Sequence, residues 1–269
     1  MLLELIFLAI IQGITEFLPV SSSGHLNVLA HFISFDQQHL LLYFLVLHAG
    51  TSFAAIYFFR KDLYVIFLGL WDFVNKKNTQ ESKDALKWIQ LIIMVSIPTA
   101  IVGITLKSFI ENQGSNLLIV GIAWIFTAII LFSTKFFISK KIDLTTFTNK
   151  DAFLVGLAQS VALVPGISRS GSTIAMALLL GATPSFAGKL SFLASFVTIF
   201  GALLLETLDY IKQGNSMLSY SMLFIGFIVA FIVGLMSLKF LINILKNGKL
   251  YLFSVYCSVI GILLLFVIL

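Results

Sequence analysis

Two long apolar stretches of this chain, residues 2–34 and 152–182, are each interrupted near the middle by residues that stop helices. The first is broken by Gly13, Pro19 and the run SSSG at 21–24. The second is broken by Pro165, Gly166 and the run SRSGS at 168–172. One helix needs about 20 apolar residues to cross a bilayer. Each half falls short, so each stretch is expected to form a helix, a turn and a helix that returns. Irregular backbone at membrane depth survives only when it is buried in protein or lines a wet cavity. Other helices must therefore surround both turns.

The sequence supplies them. Apolar residues make up 59% of the chain and charged residues 11%, against about 25% charged in a soluble domain. Six runs, approximately 40–59, 88–107, 116–137, 186–208, 219–243 and 250–268, read as full spans. Segment 64–75 is short and carries Trp71 and Asp72, which suits the interface; 76–87 reads as a polar loop. The expected fold is an all-α polytopic membrane protein, a single membrane domain over 1–269. It has six full transmembrane helices plus two re-entrant helical hairpins. The start, MLLELIFLAI, lacks the basic segment of a cleavable signal peptide. Cys257 has no second cysteine to pair with.

The two broken regions resemble each other. Nine residues after Gln12, and again after Gln159, comes S-x-S-G: Ser21 to Gly24, and Ser168 to Gly171. This suggests two repeats, about 1–137 and 150–268. Three spans separate the broken regions, an odd number, so the second repeat is expected to be inverted. Of the 17 Lys and Arg residues, all but Lys107, Lys212 and Arg169 then fall on one side. The positive-inside rule makes that side cytoplasmic. The two turns enter from opposite faces and meet near the midplane, as in inverted-repeat membrane proteins. The net charge of +5 is spread over short loops, so nucleic acid is not an expected partner.

Arg169 is then a fixed charge at membrane depth, which calls for a cavity and a partner. The plainer reading is a structural ion pair. Its surroundings favour anion binding instead. Pro165-Gly166 allows a tight turn, and the helix that follows opens with free N–H groups. Ser168, Ser170, Ser172 and Thr173 add hydroxyls, and the guanidinium fork suits phosphate oxygens. The facing repeat offers Gln12, Glu16, Ser21, Ser22, Ser23 and His25. Gln12 and Glu16 share one helix face. The set matches what phosphoryl transfer needs. Arg169 and the amides stabilise charge, Ser22 or His25 attacks, and Glu16 with Gln12 is the candidate metal pair. His48 is left with two readings, cavity wall or packed polar group. His31 and His39 are expected near a loop, and Glu206 and Asp209 at the solvated outer interface.

The motif Gln12-Gly-Ile-Thr-Glu16 resembles the (E/Q)xxxE element of the bacterial undecaprenyl-diphosphate phosphatase family, the bacitracin-resistance type. FLPVSSSGH at 17–25 and PGISRSGST at 165–173 resemble that family's other elements. The likeness covers essentially the whole chain. It implies an enzyme that removes the terminal phosphate of undecaprenyl diphosphate and regenerates the monophosphate carrier for cell-wall synthesis. It also implies dependence on Mg2+ or Ca2+, a multi-pass place in the bacterial plasma membrane, and a site opening to the outer face. On this reading Glu16, Ser22, His25 and Arg169 are catalytic. Gln12, Ser21, Gly166, Ser168, Ser170 and Thr173 bind substrate. The partners are a long-chain prenyl diphosphate and the membrane, with a homodimer left open. The alternative is an inverted-repeat transporter or flippase for a lipid phosphate or small anion. That protein would want Arg169 but not Glu16 and His25 beside a serine cluster.

Overall fold

The computed structural model describes residues 2–32, 40–114, 116–137, 141–212 and 220–269. His39 and Lys140 lie outside them, as do the side chains of Lys107, Glu206, Asp209 and Lys212. The described residues are almost entirely helical. Both broken regions are helix pairs: α1 (Leu2–Phe17) with α2 (Ser22–Phe32), and later α8 (Asn149–Val161) with α9 (Arg169–Leu179). At 11, 13 and 11 residues, α2, α8 and α9 are too short to cross a bilayer.

Between the pairs run α3 (Leu40–Phe58), α4 (Arg60–Val74), α5 (Gln80–Thr105), α6 (Lys107–Gly114) and α7 (Leu117–Ser133). After them come α10 (Pro184–Lys212), α11 (Tyr220–Lys246) and α12 (Phe253–Ile268). Five described helices are long and apolar enough to span, and α3 with α4 forms a sixth candidate bent by 70°. The bend falls where Arg60, Lys61 and Asp62 begin. Arg60 turns back to donate to the Tyr57 carbonyl at 2.7 Å, so the charge leaves the apolar path. Beyond it α4 exposes Tyr64, Phe67 and Trp71, as an interfacial helix does.

One expectation fails. Residues 80–87 read as loop, yet α5 already begins at Gln80. Thr79 caps it, its hydroxyl accepting from the Ser82 amide at 3.1 Å. An N-cap of this kind outweighs the polar composition of the first two turns.

The outer surface is greasy in stripes. On α7, Ile122, Phe126 and Ile129 are exposed; on α12, Val255, Val259, Ile262 and Phe266. Spacings of three and four put each set on one helix face. Such faces in water would be large apolar patches, and in lipid they are the expected surface. The protein is a multi-pass membrane protein. Inside, α1 packs on α11 and α3, α8 packs on α5, and α7 packs on α12. The largest core cluster joins α5, α9, α10 and α11 through Leu91, Val95, Ile174, Leu190, Leu193 and Leu238.

The two turns meet. Gly166 has φ +99°, and a Cβ there would lie 2.7 Å from both the Ala123 Cβ and the Val120 carbonyl oxygen. Both backbone and space therefore require glycine. Gly166→Ala is expected to destabilise the protein by about 2 kcal/mol or more. The readout is a lower melting temperature in detergent; an unchanged one would mean that the α8–α9 turn moves freely.

Candidate active site

The first turn is built around Ser21, a non-glycine residue at φ +69°. That conformation is unfavourable by about 1 kcal/mol or more and is held by hydrogen bonds to the Ser21 hydroxyl and carbonyl. The Ser21 hydroxyl accepts from the amides of Gly24 at 3.3 Å and Gly166 at 3.1 Å. Its carbonyl accepts from His25 Nδ1 at 2.7 Å. Trp124 Nε1 donates to the Val20 carbonyl at 2.9 Å, and the Cys257 thiol to that of Pro19 at 3.6 Å. The second turn is pinned by Thr127, whose hydroxyl donates to the Gly166 carbonyl and accepts from the Ser168 amide. Ser168 caps α9, accepting from Gly171 at 3.1 Å. Arg169 is thus the first residue of a helix, fixed in place by α7 and by the other turn.

Glu16 sits at the centre, buried near the end of α1. Its Oε2 accepts from Gln12 Nε2 at 2.9 Å and from the Ser22 hydroxyl at 2.7 Å. Its Oε1 accepts from Arg169 Nη2, an ion pair linking residues 153 apart in sequence. A buried carboxylate is tolerable when paired and hydrogen-bonded in this way. His48 Nε2 lies 3.8 Å from the same Oε2. The His48 Nδ1 is 2.8 Å from the Phe44 carbonyl, and a carbonyl only accepts, so Nδ1 carries the proton. His48 lines the pocket with its Nε2 toward Glu16.

These groups line a cavity of about 240 Å³. Its polar lining includes Glu16, Ser22, Ser23, His48, Ser168 and Arg169, and its apolar lining Leu163, Ile167, Ile199 and Leu203. Of the candidates from the sequence, Glu16, Ser21, Ser22, Ser168 and Arg169 gather here. Gln12 touches Glu16 from behind, and Gly166 forms the turn.

Three candidates lie elsewhere. His25 is outside the pocket, stacked on Tyr256 with Nε2 2.7 Å from its hydroxyl and edge-on to Trp124. Thr173 is turned into the core, where its hydroxyl pairs with that of Ser191 at 2.6 Å. Ser170 pairs with Ser168 at 3.3 Å. Neither Thr173 nor Ser170 lines the cavity. His31 is exposed at the end of α2.

His48 is the residue that sequence reasoning left undecided. The available signal was its company: His48, Thr51 and Ser52 sit three and four apart on an otherwise apolar helix, so they share one face.

The two histidines should respond differently. His48→Ala is expected to lower kcat about tenfold or more with little change in melting temperature. His25→Ala is expected to lower melting temperature and activity together, because it removes a support of the Ser21 turn. Turnover and melting curves on both variants check this; equal behaviour would contradict it.

The sequence matches the family described as Bacitracin resistance protein BacA over residues 5–263. The undecaprenyl-diphosphatase of Alkaliphilus metalliredigens is 37% identical over 260 residues, 95% of this chain and 94% of that one. That of Bacteroides fragilis is 38% identical over 263 residues, 96% and 95% of the two chains. That of Korarchaeum cryptofilum is 37% identical over 265 residues, 97% of each. With a match that runs through both broken regions and nearly from end to end, the chain belongs to the bacitracin resistance protein BacA family.

Proposed function

We propose that this chain is an undecaprenyl-diphosphatase that releases the terminal phosphate and regenerates the monophosphate carrier lipid. The observation that carries the reading is the pocket. Its wall offers a hydroxyl, a carboxylate and a guanidinium in direct contact, together with apolar side chains. A lipid diphosphate has that polarity. The names of the relatives agree with it.

In the proposed reaction the phosphates lie against Arg169, the Ser168 hydroxyl and the open end of α9. Ser22 Oγ attacks the terminal phosphorus and its proton passes to Glu16 Oε2. The bond from that phosphorus to the bridging oxygen breaks, and the prenyl phosphate leaves with the proton. Water then attacks the phosphoserine, gives a proton to Glu16, and Ser22 recovers it as phosphate departs. Between the alternatives Ser22 and His25, geometry favours Ser22. It lines the pocket and is bonded to Glu16, whereas both His25 nitrogens are engaged outside the pocket. His48 Nε2 lies 3.8 Å from Glu16 Oε2, within reach of the same proton path.

We read α1–α2 and α8–α9 as re-entrant hairpins of two inverted repeats in the bacterial plasma membrane. The packing of α1 on α11 and of α8 on α5 supports this, since those helices correspond in the two repeats. Together with the charge asymmetry of the loops, it favours a pocket open to the outer face. A cysteine at Ile110 should react with an impermeant thiol reagent outside the cell, and one at Asn78 should not. The reverse pattern would overturn the orientation. The groups that do the chemistry belong to one chain, so the reading needs no second copy.

Substrates of decreasing tail length test the apolar lining. kcat/KM should fall as the prenyl tail shortens and be lowest for inorganic pyrophosphate. Equal rates on all of them would remove the lipid from the proposal.

A further inference from the structure

Ca2+ binds proteins through about six to eight oxygen ligands, carboxylates among them, and Mg2+ through one or two free carboxylates with waters and substrate phosphates. Among the described residues the pocket has one carboxylate, Glu16, and it is largely committed. Glu16 Oε2 already accepts from Gln12 and Ser22, and Oε1 from Arg169. Four residues before Glu16 on the same helix face, the second acidic position holds glutamine. Gln12 turns its NH2 group toward Glu16, so the side facing the carboxylate donates where a cation needs an acceptor. The Gln12 Oε1, buried and accepting no hydrogen bond among the described residues, belongs to the far side of that amide. Among the described residues lining the pocket, Glu16 and Arg169 cancel in charge. Among the described residues, no three His, Cys, Asp or Glu side chains converge on a point. The residues present therefore do not fit a resting Mg2+ or Ca2+ site.

We infer that this chain has no divalent-cation site of its own and takes the cation up only together with a diphosphate, whose oxygens supply most of its ligands. The inference rests on the phosphatase reading for the identity of the diphosphate. Its physical basis is charge. A neutral pocket with one committed carboxylate gives a free dication little reason to leave water. A diphosphate brings two or more negative charges and a ready chelate, the way Mg2+ is commonly held at phosphate-transfer sites. Gln12 keeps the empty pocket neutral.

The test is equilibrium dialysis of the purified full-length protein in detergent against radioactive Ca2+ near about 1 mM, a range in which weak protein sites fill. One arm has the cation alone and the other adds methylenediphosphonate, a diphosphate that cannot be hydrolysed. No bound ion is expected in the first arm and about one per chain in the second, with one diphosphonate. Gln12→Glu adds a carboxylate and should tighten cation binding without diphosphate by about tenfold or more. A stoichiometric ion in the first arm overturns the inference. So does the absence of an ion or of diphosphonate in the second arm, or a Gln12→Glu protein that stays cation-free. The readout involves no turnover. A protein that binds as described yet releases no phosphate would sink the phosphatase reading and leave this one standing.

Discussion

Replacing Arg169 with alanine is expected to lower kcat/KM for the lipid diphosphate by about a thousandfold or more, the range seen when an arginine that stabilises a transferring phosphoryl group is removed. Two effects combine in this variant. The charge that would meet the phosphate oxygens is lost, and Glu16 is left buried without its ion-pair partner. Breaking a buried pair from one side destabilises by about 3–5 kcal/mol, so the melting temperature should fall as well. Arg169→Lys separates the two. Lysine restores a positive charge beside Glu16 but not the planar fork that spans two oxygens. Stability should return nearly to wild type while kcat/KM stays about tenfold or more below it. An Arg169→Ala protein that is folded and fully active would show the ion pair to be merely structural.

Ser22→Ala is expected to be the cleaner loss. Ser22 lies at the first position of α2, and its hydroxyl gives one hydrogen bond to Glu16. Removing it leaves Glu16 with Gln12 and Arg169, so the change in stability should be about 1 kcal/mol or less. The rate should fall about a thousandfold or more in kcat with KM little altered, because a nucleophile acts in the transition state rather than in binding. Ser23→Ala is the control. Ser23 also lines the pocket, but its hydroxyl pairs with Ser21 rather than with Glu16, and it should keep most of the activity. A Ser22→Ala protein retaining more than about a tenth of the wild-type kcat would move the attack to water or to a histidine.

Much of this site could be read from the chain because its spacing is local. Gln12 and Glu16 are four apart on a helix, and the structure joins them by a hydrogen bond. Arg169 stood out as a charge in an apolar setting, and its partner is Glu16, the acid buried near the end of the facing apolar helix. The breaks became turns at 18–21 and 162–168, each holding a proline, and the serine-rich runs open the helices that follow, because proline and serine start and stop helices by the same rules in lipid and water. What could not be read was rotation about helix axes. His25 follows Ser21 by four residues, which lays it over the Ser21 carbonyl and turns it from the pocket toward Tyr256, 231 residues away. No local signal announces that tyrosine. Thr173 follows Arg169 by four, and its hydroxyl donates to the Arg169 carbonyl before reaching Ser191 on α10. His48 faces the pocket because α3 packs against α1, a tertiary fact that composition does not carry. The early start of α5 was legible in the cap at Thr79 but was outweighed by the charges that follow it.

The central claim, that the meeting point of two broken regions is a phosphatase site, is tested most directly by the simplest assay. Purified wild-type protein in detergent is given undecaprenyl diphosphate with a divalent cation, and phosphate and undecaprenyl phosphate are both measured. Equal amounts of the two products are expected, with no phosphate from undecaprenyl phosphate itself. A well-folded protein that binds the lipid diphosphate and leaves it intact would contradict the account, and would make Arg169 part of a carrier's binding site.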